Sequence, residues 1–176
     1  NMQSFIEAKD FSKENLQRAI AALPKELIEK EDHFFEKFKI SKVSPLKQLE
    51  MIYELTDKLF SSMCNFTPCK KGCSYCCYCN IHISEIEILY IEKNKKIKRK
   101  KKFESSGELH GYPCPFLQKD KCFIYDCRPL SCRKHITLAK DSSFCAPEFS
   151  NEVVLNKISF SNIEQAFFLL QERTGF

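Results

Sequence analysis

Eleven cysteines, Cys64, Cys69, Cys73, Cys76, Cys77, Cys79, Cys114, Cys122, Cys127, Cys132 and Cys145, all fall in the middle of the 176-residue chain. Five of them lie within residues 64–77, with Cys79 two positions beyond. Buried thiols acting as small hydrophobes explain one or two scattered positions but not this density. A disulfide framework is the other structural use. It requires an oxidising compartment and favours an even count, whereas this count is odd and residues 1–10 lack the charged and apolar blocks of a secretory leader. The expectation is therefore a cytoplasmic protein whose thiols stay reduced and ligate metal.

With 43% hydrophobic and 29% charged residues the chain has apolar mass for a core, and its length predicts a single domain over residues 1–176. No run reaches the roughly 18 apolar residues of a bilayer span, so no membrane partner is expected. Only four glycines are present, at Gly72, Gly107, Gly111 and Gly175. They cannot form a GxGxxG turn or a P-loop, which excludes the usual dinucleotide and nucleotide phosphate cradles. HExxH, GxSxG and EF-hand patterns are absent as well.

The predicted fold class is mainly α, with helices packed around an irregular, metal-stapled, cysteine-rich middle. Leu16, Ile20, Leu23 and Leu27 recur at helical spacing, as do Ile28, Phe34, Phe35 and Phe38, which predicts a helical hairpin divided near Pro24. Ser44 and Pro45 suit the N-cap and first position of a further helix with Ile52, Leu55, Leu59 and Met63 in one stripe. The helical N-terminal segment is thus placed at 3–64, the cysteine core at 64–150 and a C-terminal helix at 158–174. Ser84 with Glu87, and Ser161 with Glu164, fit capping boxes. The 16 phenylalanines fall mostly on the apolar stripes and are read as core.

Cys69, Cys73, Cys76 and Cys77 form C-x3-C-x2-C-C. On an ideal helix they would fall at about 0, 40, 340 and 80 degrees, on one face. Cys69 and Cys77 would then stand about 12 Å apart along the axis, whereas two thiolates on one zinc are within about 5 Å of each other. Either the segment wraps as a loop, which Gly72 permits, or the thiols divide between two metals or a cluster. The adjacent Cys76 and Cys77 favour division, because neighbouring side chains diverge. In the second block Pro129 can open a short helical turn presenting Cys132, and Arg128 and Arg133 can hydrogen-bond thiolates or carboxylates around the site.

Cys69, Cys73, Cys76 and Cys77, then Ser84 and Glu85, then Cys114, Pro115 and Leu117, then Cys122, Ile124, Tyr125, Arg128, Pro129, Cys132 and Arg133 resemble the YkgJ-type cysteine-cluster family, over roughly residues 69–145. That family is described as a zinc- or iron-chelating domain, and flagellin lysine N-methylases contain a related motif. The resemblance implies eight metal ligands: Cys69, Cys73, Cys76, Cys77, Cys114, Cys122, Cys132 and Cys145. Cys64, Cys79 and Cys127 are extra to the pattern. The implied cofactor is zinc or iron, the latter as an iron–sulfur cluster in one form. C-x3-C-x2-C is also the radical S-adenosylmethionine motif, but those enzymes place it after the first strand of a βα partial barrel, and here a helix precedes it.

Eight thiolates on two divalent sites would each leave a charge of about −2, lowering the formal +5 to about +1. Among the histidines, His33, His82 and His110 are read as surface or capping groups and His135, three residues after Cys132, as a reserve ligand. Lys93, Lys95, Lys96, Lys98, Arg99, Lys100, Lys101 and Lys102 put eight cations in ten residues, most simply a solvated helix end. The function expected is metal binding by a protein that is not itself an enzyme. The alternatives are an iron–sulfur-dependent protein lysine methylase, or part of one, and a nucleic-acid adaptor that uses the basic run.

Overall fold

The computed structural model describes residues 2–100, 110–150 and 157–176. They are mainly helical: α1 (Met2–Ala21), α2 (Lys25–Asp32), α3 (Phe34–Ile40), α4 (Pro45–Ser61), α5 (Glu85–Lys95), α6 (Leu130–Arg133), α7 (Pro147–Ser150) and α8 (Ser161–Thr174). The N-terminal segment is helical as expected, but it forms four helices and not a hairpin. Pro24, which has no N–H to continue a helix, sits at the N-cap of α2 with ψ 130°. His33 takes φ −102° and ψ 0° between α2 and α3, its ring Nδ1 2.8 Å from the Glu29 carbonyl. Ser44 in extended conformation followed by Pro45 opens α4, as the sequence predicts.

Phe38, Leu49, Ile52, Leu59 and Leu170 are fully buried in the main core, where α8 lies against α3 and α4. Burying each such side chain contributes about 2 kcal/mol. The expected stripe packs inward in part: Leu16, Leu23 and Leu27 are half-buried against the core. Ile20 is 48% exposed, and the inward positions are Ser12, Asn15 and Ala19. The reason is polar: the Asn15 amide donates to the carbonyls of Phe66 at 2.6 Å and Leu138 at 2.9 Å, so α1 docks on main chain from both sides of the cysteine region. Ile28 is likewise exposed on α2.

The Ser84–Glu87 capping box is formed at the start of α5. The one expected at Ser161 and Glu164 is not. Phe160 is the N-cap of α8, Glu164 pairs instead with Lys134 at 2.6 Å, and the helix N-terminus is capped from a distance by Glu31 of α2. That buried carboxylate accepts from the backbone N–H of Asn162 at 2.8 Å and of Ile163 at 3.2 Å. It brings a full negative charge to the positive end of the helix, which a serine hydroxyl cannot match.

The described residues between α5 and α8 hold only short elements, α6 and α7 among them. Two short antiparallel strands, β1 (Leu117–Gln118) and β2 (Lys121–Cys122), place Leu117 opposite Cys122. Lys119 and Asp120 both take positive φ, 48° and 58°, as a two-residue hairpin turn requires. Among the described residues no helix is long and apolar enough to cross a membrane.

Candidate metal centre

The first cysteine segment is a loop. After α4 the chain makes a 3₁₀ turn at Cys64–Phe66, reverses at Gly72 with φ +99°, and makes a second 3₁₀ turn at Tyr75–Tyr78 that carries Cys76 and Cys77. Nothing lies within 4 Å of a Cβ built on Gly72, so its requirement is the left-handed backbone itself. Residues 69–77 therefore do not form the straight helix on which the four thiols would stand in a row.

Main-chain bonds seat the second segment on the first. The N–H of Cys114 donates to the carbonyl of Cys77 at 2.7 Å, and that of Gly111 to Tyr78 at 2.8 Å. On the other flank Thr67 Oγ1 donates to the Thr137 carbonyl at 2.8 Å, while the Thr137 N–H points at Cys69 Sγ at 3.4 Å. An N–H aimed at sulfur stabilises a thiolate. Sequence reasoning misses Thr137 because the donor is backbone, which any residue supplies.

Cys132 is presented as expected, by α6 with buried Pro129 as its N-cap. Arg133 meets the expectation of a carboxylate partner, and Arg128 bonds a backbone carbonyl. Arg133 is buried and donates to the Asp57 carboxylate at 2.6 Å and to the carbonyls of Arg128 and Asp126 at 2.7 and 2.8 Å, with its guanidinium 3.9 Å from the Tyr53 ring. Arg128 donates to the Tyr125 carbonyl and stacks on the Tyr125 ring at 3.8 Å. Both hold the α6 turn in place.

The thiols converge on two adjoining spaces. An inner pocket of about 60 Å³ is walled by Cys73, Cys76, Cys77, Cys79, Cys114, Cys122 and Cys132, with apolar side chains including Ile81, Ile83, Phe116 and Ile124 in the rest of its lining. A cleft of about 240 Å³ is walled by Cys64, Cys69, Cys73, Cys76 and Cys132, with Asp57, Lys70, Arg128 and His135 among its polar lining. Cys73, Cys76 and Cys132 therefore form the partition between the two. Cys145 is in neither wall, but its charged-state neighbours are Cys69, Cys76 and Cys73. Its 3₁₀ turn at Ser142–Cys145 packs on the turn carrying Cys76 and Cys77.

Burial pushes the Cys132 and Cys145 thiols up to about 12, and neighbouring sulfurs add to it. Cys79 and Cys122 are raised for the same reason. Cys76 and Cys77 share a hydrogen bond, which together with burial raises Cys76 and which lowers Cys77.

Of the extra cysteines, Cys127 packs with Ile91 and Ile124 in a small apolar cluster, Cys64 is exposed at the cleft, and Cys79 stands in the inner wall, which its offset from the motif does not reveal. His135 lines the cleft, while His82 is exposed. Among the described residues, no three His, Cys, Asp or Glu side chains are already drawn onto one point as a metal requires. The donor set still fits the group: nearly all the donors facing the inner space are thiols, the ligand type that suits zinc and iron–sulfur clusters.

The basic run ends α5 and continues past it, with Lys96 in the left-handed conformation at its C-cap. Arg99 is paired with Glu85 at 2.7 Å and Glu92 at 3.1 Å, and Lys93, Lys96, Lys98 and Lys100 are exposed. Lys101 and Lys102 lie outside the described residues.

No curated protein and no solved structure matches this chain. One family model does, over residues 68–149, with the description "CxxCxxCC: Putative zinc- or iron-chelating domain". Its span takes in every cysteine but Cys64, so the cysteine region, residues 68–149, is what matches the model of that cysteine-cluster family.

Proposed function

We propose that the chain is a metal-binding protein in which Cys69, Cys73, Cys76, Cys77, Cys114, Cys122, Cys132 and Cys145 hold zinc or iron as thiolates, within one domain spanning the whole chain and in the reducing cytoplasm. The observation that carries this reading is the convergence of two cysteine segments, distant in sequence, on one small pocket with seven thiols in its wall. A core of that kind has little apolar material of its own, and thiolate–metal bonds supply the missing cohesion. Bound zinc would cross-link the two segments; an iron–sulfur cluster would add the ability to carry an electron.

Element-resolved metal analysis of anaerobically purified protein, read with its visible spectrum, tests this. One or two equivalents of zinc in a colourless sample, or iron with sulfide in a brown one, supports it. A metal-free, fully folded monomer removes it. The lysine methylase reading rests on family resemblance, and a specific affinity for S-adenosylmethionine would favour it.

A further inference from the structure

Helix α1 is held by groups from both of the cysteine segments. Near its start, Phe5 meets the rings of Phe144 and Phe149 edge-on, at 6.0 and 5.9 Å between centroids; one precedes Cys145 and the other follows it. Further along, Asn15 is only 5% exposed, and its Nδ2 lies 2.6 Å from the Phe66 carbonyl and 2.9 Å from the Leu138 carbonyl. Phe66 stands between Cys64 and Cys69, and Leu138 between Cys132 and Cys145, so the amide reaches one carbonyl in each segment. One turn on, buried Ala19 shares an apolar cluster with Met63, beside Cys64, and with Leu138. We propose that α1 is a second staple across the gap that bound metal would close, with Asn15 as its positioning residue, so that docking of the helix and binding of the metal strengthen each other. The coupling rests on the metal-binding reading, since it needs a metal that joins the two segments.

The identity of residue 15 follows from its neighbours. Both are carbonyl oxygens, so the group facing them must donate, and a carboxamide nitrogen carries two protons, one for each. Aspartate has the same shape without a donor, serine offers a single proton and leucine none.

What the amide fixes is the pairing of two irregular stretches of chain. Next to it Thr67 Oγ1 donates to the Thr137 carbonyl at 2.8 Å, the Thr137 N–H points at Cys69 Sγ at 3.4 Å, and Thr137 Oγ1 accepts from the Ala139 N–H at 3.2 Å. The separation of the Phe66 and Leu138 main chains thus sets where Cys69 stands relative to the second segment. Metal–ligand distances tolerate changes of only about 0.2 Å, so a group that holds main chain on both sides of the gap supports the ligands without being one. Coupling of this kind is reciprocal. Metal that draws the segments together presents both carbonyls to Asn15, and Asn15 in place leaves the metal less to order.

Two measurements on the full chain test this: zinc(II) affinity by competition with a chromophoric chelator, and backbone hydrogen exchange read by mass spectrometry with and without zinc. Asn15→Leu should weaken zinc binding about tenfold to a hundredfold, the range for a residue that supports a ligand. Phe38→Leu, which trims a fully buried side chain of the main core on α3, should leave it unchanged. In the unmodified chain, removing zinc should open the amides of α1 to exchange while those of α8 stay protected. Phe5→Ala should also weaken zinc binding, by less than Asn15→Leu, and decides the matter should that variant not fold. Zinc affinity in the folded α1 variant equal to that of Phe38→Leu overturns the coupling. So does protection of α1 that is the same with and without zinc, or loss of protection in α1 and α8 together, which would report unfolding of the whole chain. Each of these outcomes leaves metal binding standing. An unmodified chain that takes up no zinc at all removes the functional reading itself, and the coupling with it.

Discussion

The Glu87 carboxylate accepts the backbone N–H of Leu130 at 2.6 Å and the phenol of Tyr53 at 3.0 Å through the same oxygen, Oε1. Its other oxygen closes the cap of α5 through Ser84 N–H and Oγ at 3.0 and 2.9 Å. One buried side chain thereby ties α4, α5 and the turn that presents Cys132.

Glu87→Ala strands four buried donors, the Tyr53 phenol, the Leu130 and Ser84 N–H groups and Ser84 Oγ. It should cost about 4 kcal/mol or more, at roughly 1–3 kcal/mol for each unpaired group. Urea unfolding of the metal-loaded chain checks this. Glu87→Gln keeps an acceptor oxygen and should cost less; equal losses would mean that the charge, and not the hydrogen bonding, matters.

Replacing Cys73 or Cys132 by serine should lower metal content and loosen the middle of the chain, because a structural metal site contributes about 10 kcal/mol or more of apparent binding free energy. Cys64→Ser should leave metal content unchanged. Cys127→Ser should reduce stability while metal stays, since Cys127 packs with Ile91 and Ile124. Equal metal loss from all four changes would contradict the assignment of ligands.

Metal uptake should release protons. With Cys132 and Cys145 held up to about 12 by burial, both are protonated in the metal-free chain near neutrality and must ionise to bind. Affinity for zinc should therefore rise with pH, roughly tenfold per unit for each proton lost. Titration in a weakly buffered indicator dye measures the release directly, and zinc affinity that stays flat from about pH 6 to about pH 8 would contradict it.

The basic run should bind nucleic acid weakly and without sequence preference, with affinity vanishing near physiological salt. Arg99 is already engaged by Glu85 and Glu92, which removes a cation from the free set, and Lys95 lies over the Phe123 ring at 5.1 Å. Neutralising Lys98 and Lys100 should flatten the salt dependence and leave metal content unchanged. Tight binding that survives physiological salt and favours one sequence would make the run a working interface.

Ser12 is fully buried, and among the described residues its hydroxyl has no hydrogen-bond partner. Ser12→Ala should stabilise the chain by about 1 kcal/mol, the cost of an unmade bond. A loss of stability in thermal unfolding would mean that the hydroxyl is satisfied in solution.

What was legible in the sequence was chemistry and short-range geometry. The Ser84–Glu87 box could be read because both partners sit within one turn, and Ser44–Pro45 for the same reason. Thiol density alone pointed to a metal centre, and the resemblance selected eight of the eleven. The Ser161–Glu164 box failed because Glu31, 131 residues before Asn162, supplies a stronger acceptor that no local pattern encodes. The burial of Asn15 on α1, beside an exposed Ile20, was hidden similarly: Asn15 looks like a surface residue until the carbonyls of Phe66 and Leu138 are brought to it. Cys79 and Cys127 could not be sorted by spacing, since one faces the thiols and the other turns into an apolar cluster.

The clamp on Arg133 separates two kinds of boundary. The family model matches residues 68–149. Cohesion does not stop there. Arg133 draws its carboxylate from Asp57 and its ring from Tyr53, Lys134 draws its carboxylate from Glu164, and the Leu138 carbonyl is met by Asn15. A piece trimmed to the family edges would keep every proposed ligand and lose the partners that hold their backbone, so the recognisable motif is smaller than the piece of chain that must be made for it to stand.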